Sequence, residues 1–390
     1  MRFFLFSWKR EIIFDLIVLS IYFLTLFIFL TKFEGSDIRG HNSLLTTYLS
    51  AGYFPIPPLY YWLVYLVDMV VRVKYEFVAS SAIVVTFFQW WKYKLIYVSI
   101  DREIAGLKPL AIFLLTLSFL FLSPIYIPAI DGDFWYLGKF TQTIWHSSTL
   151  ICSFPFCILL VWKTLDWLKW HKSVDLWKIF FLSLLIILTK PSFLFCYIPA
   201  LPVFVFLQNY KVSRQLGEVI ALVGLLFSLL LIEKYLIFSW DPVLDKLYTP
   251  SEKSQVVFNP FKVWLNFTQE PIFDILTSFP LLFAVLIIWR KKVFESLLFS
   301  FSLVLLFFAL LVFFLLAESG FREFHGNFYW QIPIALFLCN LSIVYFVLGQ
   351  FRSEKRKMSC KFMVIALVYF LQAILGLGFW LRILIDLTHK

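Results

Sequence analysis

The stretch Ile12–Thr31, IIFDLIVLSIYFLTLFIFLT, followed directly by Phe33–His41, FEGSDIRGH, decides how this chain is read. The first part has the length of one bilayer crossing, which takes about 20 apolar residues. The second crowds Glu34, Asp37, Arg39 and His41 into nine residues at what reads as a membrane surface. Charged groups beside a bilayer are costly unless they meet water, each other or a substrate. The polar segment continues through Ser43, Thr46 and Thr47, then meets Gly52–Tyr61, GYFPIPPLYY. That stretch reads as the floor of a membrane-embedded site rather than as a soluble loop.

Working outward, the pattern repeats along the chain. Of 390 residues, 61% are hydrophobic and 15% charged, with mean hydropathy +0.86. Soluble domains carry about 25% charged residues, so the composition indicates an all-α, polytopic integral membrane protein. The net charge of +10 does not point to nucleic acid, because the basic residues fall in short connections between apolar runs. There they set orientation. Five scattered cysteines, Cys152, Cys157, Cys196, Cys339 and Cys360, show no metal-type spacing. The basic start, Met1–Arg10, precedes the first run without a small-residue cleavage site, which reads as a retained signal-anchor.

Apolar runs at 12–31, 78–97, 109–129, 144–162, 177–190, 193–208, 217–236, 272–289, 296–316, 331–349 and 361–382 are candidate spans. Basic clusters at Lys92/Lys94/Arg102/Lys108, Lys163/Lys169/Lys172, Lys211/Arg214, Arg290–Lys292 and Arg352–Lys357 place one side in the cytoplasm, with the N-terminus. The cheaper reading is that the apolar segment 53–72, with its three prolines, does not cross; the alternative keeps 53–72 as a span and loses another run. The expectation is about eleven transmembrane helices (range 10–13), with short re-entrant or surface helices in the first outside loop. Residues 1–390 form one transmembrane domain, with no soluble domain, linker or internal repeat.

The outside segments then hold the unusual polar residues. After Glu34–His41 come Asp131, Asp133 and Lys139, and Trp145-His146-Ser147-Ser148-Thr149 at the start of the next run. Lys190 sits in a tight turn before a proline, and Glu318, Arg322, His325, Asn327 and Trp330 follow later. Carboxylates, cations and aromatic rings converging on one membrane face form a site hypothesis. Plainer readings stand beside it. Glu34 and Asp37 also read as solvated charges, Asp37 as the N-cap of a helix over 38–50, and His41 as a packing residue. Lys190 also reads as a snorkelling lysine, Arg322 and His325 as a solvated turn, and Trp145 and Trp330 as interfacial anchors. Asn266-Phe267-Thr268 matches a glycosylation acceptor, a three-residue pattern frequent by chance. No phosphate-binding glycine loop and no His-Glu-x-x-His zinc motif is present, and Asp131-Gly-Asp133 alone does not define a metal site.

An N-terminal span followed at once by an acidic outside loop resembles the GT-C superfamily of integral-membrane glycosyltransferases, on Glu34…Asp37…His41, on GYFPIPPLYY and on the many-span layout. The resemblance implies a polyprenyl-phosphate-linked sugar donor and a first-loop carboxylate as catalytic base. Asp37 matches that position best and Glu34 second. Some members carry a metal-binding carboxylate pair in a later loop, for which this chain would offer Asp131 and Asp133. Members often have a large soluble C-terminal domain. This chain has none, which leaves the acceptor class open.

One carboxylate suffices for an inverting transfer, because a lipid phosphate is already a good leaving group and needs only cations to hold it. Lys190 and Arg322 are expected on the phosphate. Arg39, His41, Lys139, Trp145, His146, Glu318, His325, Asn327 and Trp330 are expected to line substrate pockets. No cofactor is expected and no metal ligand is assigned. The partners expected are the donor, a glycan or lipid-linked acceptor and membrane lipids, at the outer face of a bacterial cytoplasmic membrane. An O-antigen polymerase or ligase is the competing enzyme, although the loop 237–271 has no Arg or His. A lipid-linked sugar flippase is the competitor from another class, and it should carry charges at mid-membrane and repeat symmetry.

Overall fold

A computed structural model describes residues 8–32, 36–73, 76–103, 106–132, 137–243, 255–355 and 357–388. Glu34 and Asp133 lie outside the described residues. The chain is an all-α membrane protein whose described helices are α1 (Trp8–Lys32), α2 (Asp37–Ser50), α3 (Leu59–Val71), α4 (Val78–Glu103), α5 (Pro109–Leu120), α6 (Pro128–Asp131), α7 (Ser148–Trp170), α8 (Ser173–Thr189), α9 (Ser192–Asn209) and α10 (Arg214–Tyr235). They continue as α11 (Lys262–Phe267), α12 (Pro271–Ser278), α13 (Pro280–Trp289), α14 (Leu297–Leu315), α15 (Ile332–Ser353) and α16 (Cys360–Thr388). Two three-residue strands, β1 (Val256–Phe258) and β2 (Leu316–Glu318), pair antiparallel with Val256 opposite Glu318.

Each of the eleven apolar runs folds as helix in whole or in part. Six helical segments among the described residues are long and apolar enough to cross a membrane: Glu11–Lys32, Ser148–Trp170, Arg214–Trp240, Leu297–Leu315, Arg322–Ser353 and Cys360–Asp386. A seventh is added if Pro271–Ser278 and Pro280–Glu295, bent by 70°, count as one broken span. That stops short of the eleven expected, and the reasons are local. The run 109–129 is helical to Leu120 and again only from Pro128, because Pro124 and Pro128 push the residues before them out of helical geometry. The freed backbone is satisfied by neighbours: Ile125 N–H donates to Thr277 O (2.8 Å), and the Gln372 amide donates to Ser123 O (2.9 Å). Irregular backbone at this depth is tolerated only where protein surrounds it. Helix α3 has 13 residues, about 20 Å, too short for a core about 30 Å thick.

The basic cluster at Lys92/Lys94 is not a connection. Both residues lie inside the 26-residue α4. Lys94 reaches Glu11 (3.1 Å) and Asp15 (3.0 Å) of α1, which accounts for the carboxylate inside the first apolar run. Helix α4 is polar yet mostly buried, because α1, α3, α5 and α7 pack round it. Buried apolar side chains from the long helices form one cluster. Within a bilayer such packing carries no hydrophobic driving force, and interhelical hydrogen bonds add roughly 0.6–2 kcal/mol each. Thr164 on α7 to Tyr197 on α9 (2.6 Å) is one of them, and Asn340 on α15 donates to Gln142 in the α6–α7 connection (2.8 Å).

Helix α2 has polar and apolar faces and is held at both ends of its run. Ser81 Oγ donates to Asn42 Oδ1 (2.5 Å), and Tyr48 OH donates to the buried Asp241 Oδ2 (2.5 Å). Its N-cap is Ser36, whose Oγ accepts from Arg39 N–H at 3.3 Å. Asp37 is therefore the first helical residue rather than the cap.

Candidate functional site

Three chain segments and one loop meet at the start of α2. Capping by Ser36 frees the Asp37 carboxylate to face inward from the first turn, and His41 follows one turn later on the same face. His41 Nε2 lies 3.6 Å from Asp37 Oδ2, and its Nδ1 shares a 2.6 Å hydrogen bond with Tyr61 OH. Helix α3 supplies that tyrosine and Tyr60, whose ring is 5.9 Å from the imidazole. The α8–α9 turn supplies Lys190, placed by the proline after it. Its Nζ donates to Thr149 Oγ1 (3.3 Å) and Ser147 Oγ (3.5 Å) at the N-terminus of α7, and sits 5.0 Å from the centre of the Trp330 ring. The same tryptophan lies edge-on to His146 at 5.9 Å.

The electrostatics join these parts. Burial works against the Asp37 carboxylate. The His41 imidazole 3.6 Å away, with the Lys190 ammonium and the His146 ring, outweighs it and holds its pKa below the ordinary value of 3.8. Burial pushes Lys190 below the usual lysine range, with Asp37 opposing. Burial also lowers His146, helped by the charge of Lys190 and opposed by Asp37. The Asp37 side chain is nevertheless 40% exposed, so its carboxylate is accessible from outside the protein. Two buried hydroxyls at this place, Tyr60 OH and Ser148 Oγ, lie near each other and have no hydrogen-bond partner among the described residues. The arrangement is an ionised carboxylate beside a cation, an imidazole pair and a helix N-terminus. Such a terminus favours anions, because its first N–H groups have no intrahelical partner.

The structure thus brings together Asp37, His41, His146, Lys190 and Trp330. It does not bring the other expected residues to them. Arg39 donates from Nε to Leu30 O and closes the C-terminal end of α1. Lys139 is a buried strut: its Nζ pairs with Asp131 (2.6 Å) and Asp274 (3.8 Å) and donates to Ile125 O (2.9 Å). Asp131, offered above to a metal, is spent on that ion pair. Trp145 packs among Tyr22, Phe121 and Trp380, with ring separations of 5.7, 5.4 and 6.0 Å. Arg322 pairs with Glu318 (3.3 Å), which also accepts from Asn327 (2.7 Å). His325 is exposed at the end of the same turn.

Sequence reasoning placed Tyr60 and Tyr61 in the stretch read as the floor of the site and Ser147-Ser148-Thr149 among the polar residues of the outside segments, but gave none of the five a substrate role. The signal was there: Ser-Ser-Thr at the start of an apolar run marks a helix N-terminus, and a tyrosine pair opens α3. Among the described residues, no group of three or more His, Cys, Asp or Glu side chains is placed to hold a metal. Comparison with protein-family models and with curated proteins gave no match for this chain.

Proposed function

We propose that the protein is an inverting GT-C-type glycosyltransferase that moves a sugar from a polyprenyl-phosphate donor to a glycan or lipid-linked acceptor. The observation that carries this reading is the meeting of the Asp37 carboxylate with Lys190 at the N-terminus of α7. Asp37, kept ionised by its cationic neighbours, accepts the proton of the acceptor hydroxyl as that oxygen attacks the anomeric carbon. The bond from that carbon to the phosphate oxygen breaks, and the leaving phosphate is held by Lys190 and the first amides of α7. Ser148 and Tyr60 supply hydroxyl donors beside it, and Trp330 offers a flat apolar face of the kind on which sugar rings stack. His41 positions Asp37 and is itself fixed by Tyr61. Arg322 has no part in this set, since Glu318 already holds it.

In this reading the site end of the bundle faces the outside of a cytoplasmic membrane, and the shorter helices complete a many-span layout. The reaction releases free polyprenyl phosphate. Purified protein given a polyprenyl-phosphate sugar and a mixed glycan-lipid acceptor pool should release that lipid in step with sugar transfer. Sugar crossing a liposome bilayer with the donor bond intact, and no lipid released, would overturn the proposal.

That second outcome belongs to a transporter, a reading favoured by one observation. Lys92 is buried in mid-helix, its Nζ 4.6 Å from the centre of the Phe154 ring, and Glu233 is buried on α10. Charges are therefore not confined to one end of the bundle, as the sequence had suggested. Buried ionisable groups inside membrane helices mark transport pathways as well as structure.

A further inference from the structure

At the end of the bundle away from Asp37, an apolar groove of about 230 Å³ opens between α5, α13, α15 and α16. Leu115, Ile343, Val347, Phe351, Ile365 and Phe370 line it, with Met358 in the α15–α16 connection. The one polar side chain in its wall, Tyr369, turns its hydroxyl to Leu115 O (3.1 Å) and Ser118 (3.0 Å). From Phe362 to Phe370 the groove follows α16 over nine residues, about 12 Å from first to last.

The rim differs in kind from the wall. Trp289, the last residue of α13, packs against Phe346 (5.6 Å) and Phe362 (5.8 Å), which brings the end of α13 to the α15–α16 connection. Arg290, Lys291 and Lys292 follow that tryptophan, and Arg352, Lys355 and Lys357 lie in and before the connection; all six are exposed. The nearby Glu354 is already paired to Lys361. A greasy slot beneath a cationic rim matches one kind of membrane component, a lipid with an anionic headgroup. Basic pockets at the ends of membrane helices attract such headgroups, and each cation near an anionic surface adds favourable energy. A second copy of the chain would set the same six cations against each other, which argues against self-association through this face.

We infer that this groove binds the chain of an anionic phospholipid, with its headgroup on the Arg290–Lys292 and Arg352–Lys357 rim. The site lies apart from the Asp37 cluster and does not depend on what that cluster does. The test uses the purified full-length protein in detergent and native mass spectrometry. The probes are phosphatidylglycerol and phosphatidylcholine with identical chains. Phosphatidylglycerol should be retained at about tenfold lower concentration than phosphatidylcholine, and should raise Tm. The variant R290Q/K291Q/K292Q/R352Q/K355Q/K357Q changes only exposed side chains and should abolish the preference. The variant Ala366→Phe, which fills the slot without touching charge, should weaken retention of both lipids. Equal retention of the two lipids by the wild type would overturn the inference. So would a preference that survives the rim variant, or binding indifferent to Ala366→Phe. Polyprenyl phosphate displacing phosphatidylglycerol from the groove would also overturn it, by naming a different occupant.

Discussion

Replacing Lys190 with methionine isolates the anion-binding half of the site. Methionine keeps most of the volume beside Trp330, where Nζ lies 5.0 Å from the ring centre, and removes the charge. Little stability should be lost with it, because Asp37 is 40% exposed and keeps His41 beside it, and the cost of burying the ammonium is removed at the same time. Ser147 Oγ and Thr149 Oγ1, 3.5 and 3.3 Å from Nζ, each lose a donor. The phosphate loses a charge-assisted hydrogen bond, worth about 1.5–3 kcal/mol. Converted at about 1.4 kcal/mol per decade, Kd for polyprenyl phosphate should rise about 10- to 150-fold. The assay is equilibrium binding of radiolabelled polyprenyl phosphate to the purified protein in nanodiscs, with Tm measured in parallel. Arg322→Met is the matched control. Its guanidinium already pairs with Glu318 at 3.3 Å, so it should change Kd by less than about threefold. A Kd for Lys190→Met within about threefold of wild type, with Tm unchanged, would refute the assignment of the phosphate to Lys190.

Three further outcomes follow from the same geometry. Lys139→Met strands Asp131 and Asp274 without their cation, a loss of about 3–5 kcal/mol. It should therefore lower Tm sharply, and Lys139→Met combined with Asp131→Asn should recover part of the loss. Gly376→Leu places a Cβ within 1.6 Å of Phe121 O and should prevent α16 from seating, read as loss of the monodisperse peak in size-exclusion chromatography. The Asp37 pKa is depressed, so its ionisation stabilises the fold above the unfolded value of about 3.9 and that contribution is lost as pH falls through the folded value. Transfer measured from pH 8 down to pH 5 should show no fall due to Asp37, whereas Lys190→Met should move the acid limb upward.

The eleven apolar runs were legible because a bilayer imposes one length scale and hydropathy reads it directly. What hydropathy misread were the departures from that scale. Pro124 and Pro128 cut one run short, Pro280 accompanies a 70° bend in another, and α4 hides its polar residues by being surrounded rather than by being apolar. The site was legible where one residue broke a pattern. Lys190 stood alone against the charge bias, and Asp37 followed a span directly. Arg322, Lys139 and Arg39 looked equally unusual, but their partners, Glu318, Asp131 with Asp274, and the Leu30 carbonyl, come from elements whose proximity no sequence spacing reveals. Tyr60 and Ser148 lie in stretches the sequence singled out, GYFPIPPLYY and Trp145–Thr149, but that their hydroxyls are buried beside each other is a property of packing.

The account stands or falls on Asp37 as the proton acceptor. Asp37→Asn keeps the shape of the side chain, and the N-cap is Ser36, so α2 should form unchanged. The decisive measurement is single-turnover transfer from a bound polyprenyl-phosphate sugar, with the variant matched to wild type in Tm and in polyprenyl-phosphate affinity. Loss of a general base predicts a rate lower by at least ~10²-fold. A single-turnover rate close to wild type would contradict the central claim and leave Lys190 and the α7 terminus as an anion site without this chemistry.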